Sequence, residues 1–84
     1  MAFYVYILLC CDGSFYTGYT KDIEARTRQH ETGKGARYTK AHKPQKLAYV
    51  ETHDTRGLAM RREREIKKLS HQQKQALIDS KPKK

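Results

Sequence analysis

The feature that most constrains the fold is a β-hairpin pattern near the start of the sequence. Residues Phe3–Cys10 (FYVYILLC) are rich in aromatic and β-branched side chains, which favour a strand. Asp12 and Gly13 follow, a dipeptide typical of tight hairpin turns. Phe15–Tyr19 is then predicted to be the returning strand. The first twenty residues therefore predict two neighbouring antiparallel strands.

The register of this hairpin decides which tyrosines share a face of the sheet. A two-residue loop places Tyr6 opposite Tyr19 and leaves Tyr16 on the other face. An odd-length loop, with Gly13 left-handed as a bulge, instead places Tyr6 opposite Gly18 and brings Tyr16 to the face of Tyr6. The sequence is compatible with both registers.

A first helix is predicted to follow the hairpin. Thr20 is a favourable N-cap, and Asp22 places a negative charge in the first turn. The helix should run to about Thr32 and stop at Gly33. The next stretch, GKGARYTKAHKP, is a basic loop that is long for so small a chain, and long loops are often functional.

One more strand and two more helices complete the predicted order. A short third strand and a second helix are predicted over Leu47–Thr52 and from Asp54 or Thr55 to about Leu69. Ser70 and Gln73 have the spacing of a capping box, which starts a third helix. The order β-β-α-β-α-α predicts an α+β domain with a three-stranded antiparallel sheet flanked by helices. We expect one domain over residues 1–80 and a basic tail over residues 81–84.

The charge balance predicts a polyanionic partner. Eighteen Lys plus Arg stand against nine Asp plus Glu, which leaves a formal net charge of +9. Nucleic acid is the simplest such partner, because each basic group that meets a phosphate releases condensed counterions. Ribosomal association, general RNA binding and nuclease activity fit this charge equally well.

The cysteines and the apolar run predict a cytoplasmic protein. Cys10 and Cys11 are adjacent, which fits neither a mutual disulfide nor the spacing of metal ligands. The run VYILLCC is too short to span a bilayer and lacks the basic flank of a signal peptide. We therefore expect a reducing compartment and no membrane association.

The first predicted helix carries a pair of residues suited to phosphodiester chemistry. Asp22, Arg26 and His30 recur at four-residue steps and so lie on one helix face. For an isolated charge pair at this spacing, an ordinary solvated face is the favoured interpretation. However, the charge of Arg26 disfavours protonation of a neighbouring imidazole, and a neutral histidine can accept a proton. Arginine in turn suits a phosphate or its transition-state charge.

Two glutamates border the apolar stripe of the second predicted helix. The stripe is formed by Leu58, Ala59, Ile66 and Leu69. Glu63 lies at one edge of it and Glu65 at the opposite edge. The helical wheel does not choose between them, and a surface glutamate beside basic neighbours is an equally good interpretation of either.

Several of these spacings together resemble the GIY-YIG nuclease superfamily, including its small stand-alone members. The matching segments are YVY at Tyr4–Tyr6, YTG at Tyr16–Gly18, the arginine and histidine of the first helix, and the pattern A-x-x-x-E-x-x-I-K from Ala59 to Lys67. The likeness extends to about Leu69 and so covers most of the chain. Tyrosine and threonine replace the first glycine and the second isoleucine of the motif that names the family.

The resemblance implies hydrolysis of phosphodiester bonds with a divalent metal. Tyr6 would activate or orient the attacking water, and Tyr16 would assist through its hydroxyl. Arg26 would stabilise charge on the scissile phosphate, and His30 is a candidate proton acceptor or relay. Glu63 would be the single protein ligand of Mg²⁺ or Mn²⁺.

The implied substrate is nucleic acid, with DNA favoured over RNA and with branched, flapped or repair intermediates as candidate forms. The basic loop would contribute further nucleic-acid contacts, through Lys34, Arg37, Tyr38 and Lys40. A protein partner could target the enzyme to its substrate. Two other hypotheses are a non-catalytic DNA- or RNA-binding module on the same scaffold and a basic ribosome-associated protein.

Overall fold

The computed structural model describes residues 2–31 and 43–80. Its elements are β1 (Phe3–Cys10), β2 (Phe15–Thr20), α1 (Ile23–Glu31), β3 (Pro44–His53), α2 (Arg56–Lys67) and α3 (His71–Ser80). The predicted order β-β-α-β-α-α is therefore confirmed. Within the described ranges, no helix is both long and apolar enough to cross a membrane. The tail at 81–84 lies outside the described residues, and the domain limits 1–80 stay a prediction.

The sheet is three-stranded and fully antiparallel, with β1 in the centre of the order β2-β1-β3. Its central position explains the continuous apolar run of β1, because a strand covered on both faces has no solvent side. Val5 and Ile7 face one side while Tyr6 and Leu8 face the other, and each is at most 1% exposed.

The two faces of the sheet have different roles. The main apolar core lies on the face of Val5 and Ile7, beneath α2 and α3. Its buried members are Val5, Ile7, Phe15, Tyr49, Ala59 and Ile66, with Leu69, Leu77 and Ile78 packed against them. The other face carries Tyr6 and is covered by His30 of α1. One face therefore holds the fold together, and the other brings polar side chains into contact.

The hairpin adopts the odd-length loop. The Cys10 N–H donates to the Ser14 carbonyl oxygen at 2.8 Å, and the Gly13 N–H donates to the Cys10 carbonyl oxygen at 2.9 Å. Gly13 has φ +84°, which it adopts readily because it lacks a Cβ. Tyr6 consequently pairs with Gly18, which places Tyr16 on the face of Tyr6. Of the two registers left open by the sequence, this is the one with both tyrosines together.

The prediction that Thr20 caps the first helix is wrong. Thr20 is the last residue of β2, where it pairs with Tyr4, and its hydroxyl accepts the Asp22 N–H at 3.1 Å. The Asp22 carboxylate accepts the Ala25 N–H at 3.1 Å, as an N-cap side chain does. Strand pairing holds Thr20 in extended conformation, so the cap moves two residues along. Thr32 and Gly33, the predicted end of the helix, lie outside the described residues.

The third strand is longer than predicted, spanning Pro44–His53 rather than Leu47–Thr52. Its first residue, Pro44, pairs with Cys10, and the register shifts between Leu9 and Cys10. An edge strand tolerates proline at its start because no ladder N–H is needed there. The strand therefore begins earlier and ends later than the strand preferences of its residues predict.

The start signals of α2 and α3 are confirmed. The Thr55 hydroxyl accepts the Leu58 N–H at 3.2 Å, as expected of an N-cap. The Ser70 N–H donates to Gln73 Oε1 at 2.8 Å, while Ser70 Oγ accepts the Gln73 N–H at 3.1 Å. These reciprocal bonds form the predicted capping box.

Candidate active site

Tyr6 and Tyr16 lie side by side because of a glycine across the hairpin. A Cβ on Gly18 would stand 2.6 Å from the Tyr6 hydroxyl oxygen and 2.8 Å from its Cζ. Only glycine leaves room for the Tyr6 ring at this position. The two tyrosine ring centroids are 6.3 Å apart.

His30 of α1 completes this aromatic cluster. Its side chain is buried, with 1% of the residue exposed, and Nε2 lies 3.0 Å from the Tyr6 hydroxyl oxygen. Its ring centroid lies 5.2 Å from that of Tyr16 and 5.9 Å from that of Tyr6. The interpretation of this helix face as solvated therefore fails for His30.

Arg26 stands one helical turn before His30, beside both tyrosine hydroxyls. It is half-buried, and its NH1 donates to Gln29 Oε1 at 3.0 Å. A side-chain carbonyl that accepts one guanidinium N–H restricts the rotamers of the arginine. Asp22, the third residue of the predicted face, serves as the helix cap instead.

The electrostatics of the cluster favour a neutral tyrosine–histidine pair. Burial raises the pKa of Tyr6 to about 12, and nearby Arg26 offsets only part of this effect. Burial and the charge of Arg26 both lower the pKa of His30. Since Arg26 can only donate, the arrangement that suits all three groups has the Tyr6 O–H donating to Nε2 of His30. His30 is therefore placed to accept a proton from Tyr6.

The structure distinguishes the two glutamates of α2. Glu63 lies on the side of the buried Ala59 and Ile66, with 17% of its side chain exposed, and its charge contributes to the raised pKa of Tyr6. Glu65 is 55% exposed and pairs with Arg62 at 3.4 Å. Glu63 is thus the carboxylate that belongs to the cluster.

The predicted apolar stripe of α2 needs one correction. Leu58 is 48% exposed and does not belong to the core. Arg62 takes the position next to the sheet on that side, where its Nε donates to Glu51 Oε1 at 2.7 Å. The ion pair with β3 therefore replaces the contact that Leu58 was expected to make.

A divalent metal could be held here by one carboxylate. No group of three or more His, Cys, Asp or Glu side chains suited to a metal occurs in the described part of the chain. The Glu63 side chain is half-buried, and its Oε2 lies 3.4 Å from Lys67 Nζ. The carboxylate therefore already faces a cation. Mg²⁺ keeps several waters and takes one or two carboxylates together with substrate phosphates. The donor set fits such a hydrated hard cation and does not fit a closed zinc cage.

Five residues named from the sequence thus come together: Tyr6, Tyr16, Arg26, His30 and Glu63. The four expected in the basic loop, Lys34, Arg37, Tyr38 and Lys40, lie outside the described residues. Sequence reasoning missed Gln29 and Lys67 as partners of Arg26 and Glu63. Their i, i+3 and i, i+4 spacings were the available signals.

The burial of His30 predicts a pH-dependent stability. Its pKa is lowered in the folded state, so the unfolded chain binds the proton more readily. The contribution of His30 is complete above the unfolded pKa, about 6.5, and is lost as the pH falls toward the folded pKa. We expect the unfolding free energy to fall by up to about 1.4 kcal/mol per pH unit in that window.

Urea unfolding at a series of pH values measures this effect, with His30→Gln as the comparison. The variant should lose less stability than the wild type on acidification, because it lacks the buried imidazole whose protonation the folded state disfavours. Equal losses in the two proteins would show that His30 is not buried as a neutral base.

Comparisons with known proteins place these residues in a wider context. The family model for the GIY-YIG catalytic domain matches residues 2–76. A UPF0213 protein of Staphylococcus epidermidis is 52% identical over 75 residues, which cover 89% of this chain and 92% of the relative. A UPF0213 protein of Staphylococcus saprophyticus is 53% identical over the same shares of the two chains.

Two solved structures are similar in fold. The solution NMR structure of the UPF0213 protein BH0048 from Bacillus halodurans is 46% identical, with a TM-score of 0.62 over 96% of this chain and 86% of that one. The solution NMR structure of the protein EF2693 from E. faecalis is 39% identical, with a TM-score of 0.65 over 95% and 85% of the two chains.

Proposed function

This chain belongs to the GIY-YIG catalytic domain family, and from that premise we propose that it is a metal-dependent endonuclease acting on DNA. Membership implies a nuclease scaffold. The observation that carries the proposal is the 3.0 Å contact between the Tyr6 hydroxyl and the buried Nε2 of His30. A tyrosine that serves packing alone does not need a buried neutral base at its hydroxyl.

Tyr6 and His30 would act as a proton relay. Because the pKa of Tyr6 is about 12, a free phenolate is rare at neutral pH. The Tyr6 oxygen can accept a proton from the attacking water while its own proton passes to Nε2 of His30. The water oxygen then bonds to phosphorus while the bond to the leaving oxygen breaks, and the leaving oxygen takes up a proton from solvent.

Arg26 and Glu63 would supply the electrostatic part of catalysis. The Arg26 guanidinium, beside both tyrosine hydroxyls, can neutralise charge that develops on the scissile phosphate. Glu63 would hold a single Mg²⁺ or Mn²⁺, and that ion, when bound, would polarise the phosphate and lower the pKa of a coordinated water. Tyr16 would assist through its hydroxyl, which Arg26 holds in place.

A panel of nucleic acids tests this proposal. Linear, flapped and branched DNA, with matched RNA, would be incubated with the protein in Mg²⁺, Mn²⁺ or EDTA. We expect metal-dependent cleavage of DNA, with branched or flapped forms preferred, and no cleavage in EDTA. Tyr6→Phe, which keeps the ring but removes the hydroxyl, should slow cleavage by about 10²-fold or more.

The alternative hypothesis is a non-catalytic nucleic-acid-binding module. This hypothesis agrees with the net charge of +9. It does not explain why the half-buried Glu63 carboxylate lies among groups that would bind phosphate. Binding to DNA or RNA without cleavage in either metal would contradict the nuclease proposal and support this module.

A further inference from the structure

Arg56, the first residue of α2, is held by a tyrosine of the hairpin. Its Nε donates to the Tyr19 hydroxyl oxygen at 3.3 Å, a contact between residues 37 apart in the sequence. The Tyr19 ring is half-buried and packs against the core cluster, so a rigid strand carries the hydroxyl. An exposed arginine samples many rotamers, and this hydrogen bond restricts them.

Tyr19 orients the Arg56 guanidinium without neutralising it. A phenol hydroxyl is uncharged and occupies only the Nε–H, so the N–H groups of the two terminal nitrogens can still donate elsewhere. Within the described ranges Arg56 forms no ion pair with a carboxylate, unlike Arg62, whose Nε lies 2.7 Å from Glu51 Oε1. The terminal nitrogens of an arginine can bind two oxygens of one phosphate. Arg56 is therefore a restrained cation whose charge is available to an anion.

Arg56 lies on the face of α2 that also carries Glu63. The two residues are separated by close to two helical turns, so their side chains project in nearly the same direction, about 10 Å apart along the helix axis. Tyr19 directly follows Gly18, the glycine that leaves room for the Tyr6 ring. Since β2 is an edge strand, the Arg56–Tyr19 pair stands at the same open edge of the sheet as the candidate active site.

We propose that Arg56, held by Tyr19, is a binding site for a backbone phosphate of the nucleic acid, separate from the reacting groups. This inference rests on the proposed function, whose substrate supplies the phosphate. Along one strand of a duplex, about 10 Å corresponds to about three nucleotides, which sets the distance of this phosphate from the scissile one. The terminal nitrogens of Arg56 donate to the phosphate oxygens while the Tyr19 hydroxyl keeps the side chain in place. The site thus fixes how the strand lies along β2.

Binding of a short DNA duplex with a single-stranded flap, measured in EDTA over a range of salt concentrations, tests the site without requiring cleavage. We expect Arg56→Met to weaken binding on the order of tenfold and to reduce the slope of log K against log salt by about one, because one phosphate contact is lost. Arg61→Met is the matched control. Arg61 is an exposed arginine that helical spacing places on the side of α2 opposite the buried Ala59, and its loss should weaken binding less.

Tyr19→Phe separates the hydrogen bond from the charge. It keeps the ring in its packed position and removes only the hydroxyl, so the Arg56 charge and the wild-type salt slope should remain. Affinity should fall about threefold, because an arginine that is not held beforehand loses its side-chain freedom on binding. In the Arg56→Met background the same substitution should leave affinity unchanged, since the two residues act as one unit.

The proposal is overturned if Arg56→Met binds DNA with wild-type affinity and slope, or loses no more than Arg61→Met. It is also overturned if Tyr19→Phe changes only the stability in urea, or weakens binding equally with and without Arg56, because the hydroxyl then does not act through the arginine. Binding losses as expected, without cleavage by the wild type in any metal, would overturn the nuclease proposal while leaving the phosphate site in place.

Discussion

Replacing Glu63 by glutamine should abolish cleavage and leave nucleic-acid binding close to wild type. The amide keeps the size of the side chain but removes the charge that would hold a hard divalent cation. We expect the cleavage rate to fall on the order of 10³-fold or more, because stabilisation of transition-state charge is usually the largest single contribution to catalysis. Affinity for DNA, measured in EDTA, should change little, since a carboxylate does not attract phosphates.

Glu65→Gln is the matched control for this experiment. Glu65 lies two residues further along the same helix, is 55% exposed and pairs with Arg62. It should cleave at the wild-type rate. The 3.4 Å pair between Glu63 and Lys67 is partly exposed and contributes at most about 1 kcal/mol, so both variants should remain folded. If Glu63→Gln cleaves as well as wild type, the assignment of the metal ligand is wrong.

Gly18→Ala should be the most damaging single-methyl substitution at the site. The new Cβ would lie 2.6 Å from the Tyr6 hydroxyl oxygen and 2.8 Å from Cζ, so the ring or the strand must move. We expect a loss of about 1–3 kcal/mol of unfolding free energy, as is usual when a packed site is overfilled. Cleavage should also fall steeply, because displacing the Tyr6 ring breaks its contact with His30.

Gly57→Ala provides the contrast. Gly57 lies in α2, and the nearest atom to an added Cβ is Thr55 Oγ1, at 4.0 Å. Alanine there should stabilise the protein by roughly 0.5–1 kcal/mol and leave cleavage unchanged. The measurements are the unfolding free energy in urea and the cleavage rate, compared between Gly18→Ala and Gly57→Ala. Wild-type stability and activity in Gly18→Ala would refute the close packing of Tyr6 against β2.

Much of the fold could be predicted because its signals act over a few residues. The apolar run of β1 marks a central strand, and the Ser70–Gln73 pair forms its capping box as expected. The cap of α1 was misplaced for a tertiary reason. Thr20 has a good capping side chain, but its pairing with Tyr4 keeps it in the strand. Strand pairing therefore outweighed the capping preference of Thr20.

The candidate site was only partly predictable. The sequence supplied the residue types, and the family resemblance supplied roles for them. The resemblance pointed to Glu63, but helical periodicity did not decide between Glu63 and Glu65, because both edges of an isolated helix are equivalent until a sheet covers one of them. Leu58 shows the same limit. Helical spacing predicted that Leu58 faces the core, but Arg62, paired with Glu51 of β3, lies next to the sheet on that side instead.

The sequence by itself determined the order of the elements, the basic surface charge and the residue types available for phosphodiester chemistry. Only the tertiary structure decided that Tyr6 and Tyr16 share a face, that His30 is buried against them and that Glu63 is the carboxylate beside them. The physical reason is distance along the chain. Turns and caps act between near neighbours, whereas Tyr6 and His30 are 24 residues apart and meet only when α1 packs across the sheet.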